Sequence, residues 1–175
     1  EAGCDFLIGM GGGSAMDAAK AAAVLAVNDM PPEGLYEQPY PNKPLPVIAV
    51  PTTCGTVSEG TAVSVLMQGD KKRSFKTEGM IPRIAFLDAR YIDRLPQSIT
   101  VDTAVDALSH AAEGYLIKDS WASDMLAERV FAFFAACMPS LLSGQYAHET
   151  REKLLFMATL AGLVILHTGT TAVHA

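Results

Sequence analysis

Cysteine is scarce: Cys4, Cys54 and Cys137 are the only three in 175 residues. An odd number without metal-finger spacing supplies neither a disulfide framework nor a thiolate metal site, and it fits a reducing compartment. We therefore expect a cytoplasmic protein whose thiols are buried or incidental. Positive charge is outweighed as well, and a formal net charge of −6 argues against a nucleic-acid partner. The uncharged run from Leu154 to Leu166 is interrupted by Thr159 and Gly162 and falls well short of the roughly 20 residues a membrane helix needs. It reads as a buried core helix, with no membrane partner. No internal repeat or low-complexity segment occurs. Hydrophobic residues are 50% and charged residues 18%, enough apolar material for one domain or two small ones and too much for disorder. The chain opens at Glu1 without a methionine or a charged-then-apolar leader and stops at Ala175 directly after HTGTTAVHA. Both ends read as internal to a longer polypeptide.

The most informative stretch is Leu7 to Lys20, LIGMGGGSAMDAAK. A short apolar run (Phe6, Leu7, Ile8) leads into Gly11, Gly12 and Gly13, and an alanine-rich helix starts at once. Glycines permit positive φ and close approach of a ligand, and the first helical N–H groups point unpaired at whatever sits there, which suits a phosphate. Ser14 is expected as the N-cap, which puts Asp17 at the third helical position, where a carboxylate favours the helix dipole. The same glycines would equally serve an ordinary tight strand-to-helix turn.

The first helix should end at Val27, before Asn28, Asp29 and the Pro31-Pro32 pair. After a proline-rich loop, Pro46 to Val50 reads as a buried parallel strand covered on both faces. A polar turn follows, PTTCGTVSEGTAVSV, with Thr52, Thr53, Gly55, Thr56, Ser58 and Gly60. Both polar turns lie at carboxyl ends of strands, where open α/β sheets bind ligands. Thr61 to Met67 and Ile84 to Leu87 read as further strands. Between them Asp70, Lys71, Lys72, Arg73 and Lys76 read as a solvated hairpin face, with one lysine reaching back to a ligand as the alternative. Past Leu95-Pro96 the composition turns to alanine, leucine and methionine. Three helices are expected there: one capped by Ser98 or Thr100 and running to about Lys118, one capped by Ser120 and stopping by Met138 because Pro139 follows, and one from His148 to Leu166.

In the first of these helices Asp106 and His110 stand four residues apart, on one face and within reach of a shared ion. A carboxylate oxygen and a neutral imidazole, with no thiolate, suit Fe(II), Zn or Mn. Asp102, Ser109 and Glu113 share that stripe, so a solvated polar face is the competing reading. His174, after the turn holding Thr168, Gly169, Thr170 and Thr171, is a candidate third ligand; His148 and His167 have weaker claims.

Taken together, GGGSAMDAAK, VPTTCGTVSE and VDALSHAAEGYL resemble the iron-containing (group III) alcohol dehydrogenase family in order and interval. AGLVILHTGTTAVHA resembles the segment in which that family carries its next histidine ligand. The resemblance implies a Rossmann-like dinucleotide-binding α/β domain, residues 1–96 here, followed by an all-helical metal-binding domain, residues 97–175, with the active site in the cleft between them. This is a dehydroquinate synthase-like architecture. It implies cofactor contacts at Gly11, Gly12, Gly13 and Ser14, the last three against the pyrophosphate, with Asp17 near that loop. Thr52, Thr53 and Thr61 would line the adenosine side, and Lys72 would be a further contact. Asp106, His110 and His174 match three of the family's four metal ligands, the fourth falling beyond Ala175; the residue choosing NAD or NADP falls before Glu1. The implied activity is reversible hydride transfer between NAD or NADP and a small alcohol, with a divalent metal, Fe2+ or else Zn2+ or Mn2+, as Lewis acid. A homo-oligomer stays open.

Two positions depart from the family pattern: Ala104 and Val57 stand where many members have glycine. Glycerol dehydrogenases, a related branch, carry aspartate at the Val57 position, which counts against a polyol substrate. SEGTAVSV lacks the signature of dehydroquinate synthases. An enzyme of either of those types, or an inactive nucleotide-binding homologue, is the alternative.

Overall fold

The computed structural model describes residues 3–37, 39–117 and 120–171. Strand β1 (Leu7–Gly11) runs into helix α1 (Gly13–Leu25), and a one-turn helix at Pro32–Tyr36 interrupts the proline-rich loop. Strand β2 (Val47–Pro51) follows, then a short turn at Ser58–Gly60, the hairpin β3 (Val63–Gln68) and β4 (Lys71–Lys76), and strand β5 (Ile84–Ala85). Helices α2 (Gln97–Ile117), α3 (Trp121–Ser143) and α4 (His148–Thr168) complete the chain.

Strands β1, β2 and β5 form a parallel sheet in that order, with Ile8 beside Ile48 and Ile48 beside Ile84. Gly9 lets α1 lie directly on β1, since a β-carbon there would sit 3.0 Å from that of Ala19. On the opposite face Ile8 and Ile84 are exposed, while Ile48 between them is half-buried and Val50 is buried. Strand β2 is buried as expected, while the outer strands β1 and β5 keep exposed side chains on that face among the described residues. On its other side α1 meets the hairpin through Ala21, Val24 and Phe75, with Leu35 and Met80 closing that core. The basic stretch forms strand β4 of this hairpin and is solvated apart from Phe75.

The helices share a second core built on Ala107, Ala111, Val130, Leu154, Ala158 and Ala161. Cys54 and Val57, from the turn after β2, belong to it. Four helix limits differ from expectation, one of them at α4, which runs two residues past Leu166 to Thr168. Helix α1 stops at Leu25, two residues early. Ser98 and Thr100 lie inside α2, where the Thr100 hydroxyl donates back to the Pro96 carbonyl at 2.9 Å instead of capping. Helix α3 continues through Pro139 to Ser143. The proline sits in the last turn on an exposed side, where water can serve the carbonyl its ring leaves without a donor. Gly144, at φ +72, ends the helix. By length and composition α3 is the one helix among the described residues able to cross a membrane. It packs along α2 and α4 with Ala127, Val130, Cys137 and Leu141 buried.

Candidate active site

The glycine turn is built by backbone. Gly11 has φ +147, a conformation L residues avoid, and a β-carbon there would fall 2.7 Å from that of Ala15. Gly12, rather than Ser14, is the N-cap: its carbonyl accepts from Ala15 and Met16, and no side chain caps the helix. Ser14 is the second helical residue, exposed at the mouth of the turn, and Asp17 is the fifth, two positions further along than expected. The glycine run moved the cap upstream because the backbone could already turn there.

The threonine turn lies against this loop. Thr52 N–H donates to the Gly11 carbonyl at 2.9 Å. Thr53 and Thr56 occupy the space beside Gly12 and Gly13; a β-carbon on Gly13 would come within 2.8 Å of the Thr56 β-carbon. The Thr53 hydroxyl oxygen is buried and has no hydrogen-bond partner among the described residues. An orphaned hydroxyl next to a helix N-terminus fits a polar, anionic ligand, and a dinucleotide pyrophosphate meets that description.

Asp17 sits beneath the loop. Its carboxylate accepts from the Ser58 hydroxyl at 2.7 Å and from Val65 N–H at 3.0 Å, which makes it a support for the turn and not an exposed ligand contact. Lys20 is fully buried beside it, with Nζ donating to Ser58 Oγ and the Val63 carbonyl, both at 2.8 Å, and 3.8 Å from Asp17. Burial pulls the Lys20 ammonium down to about 8, against the pull of Asp17 and Glu59. Glu59 is buried too; desolvation pushes its carboxyl up, and Thr159 on α4 donates to it at 3.0 Å. Thr61 is buried, at 5% exposure, which sets it inside this support and not on an open ligand face. Lys72 is exposed on β4 opposite Met67, one pair from the hairpin tip, as the solvated-face reading expects.

The same threonine turn grips α2. Cys54 Sγ lies 3.2 Å from the Thr103 hydroxyl, and Gly55 is in such contact with Thr103 that no β-carbon would fit. Burial pushes the Cys54 thiol up, so it stays protonated and inert. One turn beyond Thr103, Asp106 is half-buried and His110 is 8% exposed. The supposed polar stripe is thus divided: Asp102 is exposed, while His110 and Glu113 are buried, and Glu113 accepts from both Thr171 N–H and the Thr171 hydroxyl. An oxygen and an imidazole nitrogen presented one turn apart at a partly buried face fit a borderline divalent ion. Among the described residues no group of three or more metal-binding side chains is gathered, and His174 lies outside the described residues. His148 pairs with Asp93 and Glu152 on the surface, and exposed His167 contacts the Leu163 carbonyl, so neither joins this face. Lys20 and Glu59 have no role in the sequence reading, and Glu113 enters it only as part of the polar stripe; the i to i+3 spacing of Asp17 and Lys20 is the one available signal.

Two polar turns at the carboxyl ends of parallel strands, one opening a helix, lie alongside a carboxylate–imidazole face where a parallel α/β sheet meets three packed helices. The iron-containing alcohol dehydrogenase family model matches residues 1–89, and the model of the C-terminal region of the Fe-containing alcohol dehydrogenase family matches residues 100–175. The chain belongs to the iron-containing alcohol dehydrogenase family. It is 35% identical to a probable alcohol dehydrogenase of Salmonella typhimurium over its whole length and 45% of that protein. An iron-containing alcohol dehydrogenase from Thermotoga maritima superposes with a TM-score of 0.88 at 43% identity, covering 97% of this chain and 47% of the other. A sulfoacetaldehyde reductase from Bifidobacterium kashiwanohense, solved with NAD+, gives 0.91 at 36% identity over 98% and 47%. The chain spans about half the length of the relatives it matches.

Proposed function

We propose that this chain carries the cofactor loop and the first two metal ligands of a metal-dependent, NAD(P)-linked alcohol dehydrogenase acting reversibly on a small alcohol and its aldehyde or ketone. The observation that carries it is the position of the threonine turn. Thr52, Thr53 and Thr56 contact the glycine loop, while Cys54 and Gly55 contact Thr103, three residues before Asp106. A cofactor cradle and a metal-binding helix are thereby held at a fixed separation, which hydride transfer requires.

In this reading residues 1–96 belong to the dinucleotide-binding domain and residues 97–175 to the metal-binding one. Gly11, Gly12 and Gly13 let the pyrophosphate approach, the first helical N–H groups and Ser14 hydroxyl donate to it, and the Thr53 hydroxyl gains a partner. Asp17 and Thr61 stiffen the turn from below, Thr52 fixes it to Gly11, and Lys72 stays on the solvated face of the hairpin. Asp106 and His110 supply oxygen and nitrogen ligands, and His174 a third. Bound there, the dinucleotide carries the hydride and a divalent ion, Fe2+ with Zn2+ or Mn2+ as substitutes, supplies Lewis acidity to the substrate oxygen. The substrate class agrees with the aldehydes for which the relatives are named. A reducing cytoplasm is the proposed compartment, in keeping with the free thiols of Cys4, Cys54 and Cys137.

Metal analysis of the full-length protein, purified without oxygen, together with a scan of short alcohols against NAD and NADP, tests the proposal. One divalent ion per chain and reduced cofactor are expected, with His110→Ala losing most of both metal and turnover while still binding dinucleotide. A metal-free protein that binds dinucleotide and reduces none would refute it.

A further inference from the structure

Helices α2 and α4 approach closely at Gly114. A β-carbon there would fall 2.3 Å from Val164 Cγ1 and 2.7 Å from Thr168 Oγ1, so the last turn of α4 is seated directly on α2. Gly169, at φ +80, then turns the chain out of α4. Two residues on, Thr171 is caught by the buried Glu113: the backbone N–H donates to Oε2 at 2.7 Å and the hydroxyl to the same oxygen at 2.6 Å. Glu113 lies one turn beyond His110 on α2, and Thr171 precedes His174 by three residues, a span of about 10 Å at full extension.

We propose that Glu113 is a positioning residue for metal binding: by holding Thr171 it fixes where the chain leading to His174 starts, beside the face that carries Asp106 and His110. This rests on the metal-site reading above. A buried carboxylate taking two hydrogen bonds from one residue of a loop determines that loop's path far more strictly than packing of threonine and glycine could. The two hydrogen bonds from Thr171 offset part of the cost of burying the carboxylate, so docking of the loop and burial of the acid support each other. Glu113 touches no reacting atom in this role; it acts through the third ligand.

Zn2+ titration of the metal-stripped full-length protein against a chromophoric chelator tests this, with NADH fluorescence titration and the melting temperature of the metal-free protein read alongside. Glu113→Ala is expected to weaken Zn2+ binding about tenfold or more, leaving NADH affinity and the metal-free melting temperature near wild type. Glu113→Gln should recover most of the loss, because its amide oxygen still accepts from Thr171. Thr171→Val, which keeps the N–H and removes the hydroxyl, should fall between. Wild-type Zn2+ affinity in Glu113→Ala, with or without a lowered melting temperature, would overturn the clamp. A Gln variant as weak as Ala would show that the negative charge itself is needed, and would overturn the positioning role. Should Glu113→Ala fail to fold, Thr171→Val decides: weakened Zn2+ binding supports the clamp and unchanged binding removes it. A wild-type protein that takes up no Zn2+ removes the Asp106–His110 site itself, an outcome distinct from all of these.

Discussion

Gly55 rests on Thr103 so closely that a β-carbon would fall 2.4 Å from the Thr103 carbonyl oxygen and 2.7 Å from its Cα. The obstacle is backbone on both sides, so neither can yield by changing a rotamer. Gly55→Ala is expected to cost about 2–3 kcal/mol in urea unfolding and to weaken both dinucleotide and metal binding, since it pushes the threonine turn off α2. Gly12→Ala is the contrast. Its added methyl would meet Thr53 Cγ2 at 3.4 Å, an ordinary contact, so stability should change by less than about 1 kcal/mol, while NADH affinity falls because the methyl lies at the mouth of the loop.

The orphaned hydroxyl of Thr53 gives a second prediction. Thr53→Val keeps the shape and removes a buried oxygen that has no partner among the described residues. The dinucleotide-free protein should melt at the same temperature or slightly higher, and NADH should bind roughly fivefold more weakly for want of one hydrogen bond. An unchanged NADH affinity would take Thr53 out of the site.

Lys20 makes stability depend on pH in the alkaline range. Its folded value of about 8 lies below the ordinary 10.5, so between those limits the unfolded chain binds the proton that the folded chain has released. Stability contributed by this group therefore rises with pH from about 8 to 10.5, and the cost of burying the ammonium is borne in full below 8. Measured by urea unfolding at pH 7 and pH 10, the wild type should gain relative to Lys20→Met, by at most about 3 kcal/mol. At pH 7 Lys20→Met should itself be destabilised by roughly 3 kcal/mol, because Asp17 and Glu59 lose their buried cation. A pH-independent difference between the two proteins would contradict the assignment.

Val57 is the one non-glycine residue described with positive φ, at +52, and it is 3% exposed against α4. A β-branched side chain in the left-handed region is strained by about 1–2 kcal/mol, and Val57→Gly should relieve this while losing a similar burial, for a net change within about 1 kcal/mol. Gly162→Ala should cost more, since its β-carbon would sit 3.0 Å from Val57 Cβ. Combined with Val57→Gly it should be tolerated better than alone, a coupling that a double-mutant cycle on unfolding free energies measures directly.

Local chemistry made much of this protein readable. The glycine run after a short apolar strand specified a strand–turn–helix unit because few other sequences allow φ at Gly11; the unbroken VIAV run specified a parallel strand; and the four-residue step from Asp106 to His110 placed both on one face of a helix whatever surrounds it. Charge spacing likewise gave the solvated hairpin face, since Lys71, Lys72 and Arg73 have no route to the core. What packing decides stayed out of reach. Pro139 fails to stop α3 because it falls on an exposed last turn, and Ser14 loses the cap because three glycines have already turned the chain. Glu113 looked like one more polar residue on a stripe, yet α4 returns from more than fifty residues away to seat Thr168 at Gly114 and lay Thr171 on its carboxylate. The sequence by itself determined where the strand–glycine turn–helix unit and the Asp106–His110 helix face lie, because those depend on local conformational freedom and short-range spacing. Only the tertiary structure decided that the threonine turn joins the two and that Lys20, Glu59 and Glu113 hold the scaffold beneath them, because burial and long-range contact are properties of the folded chain alone.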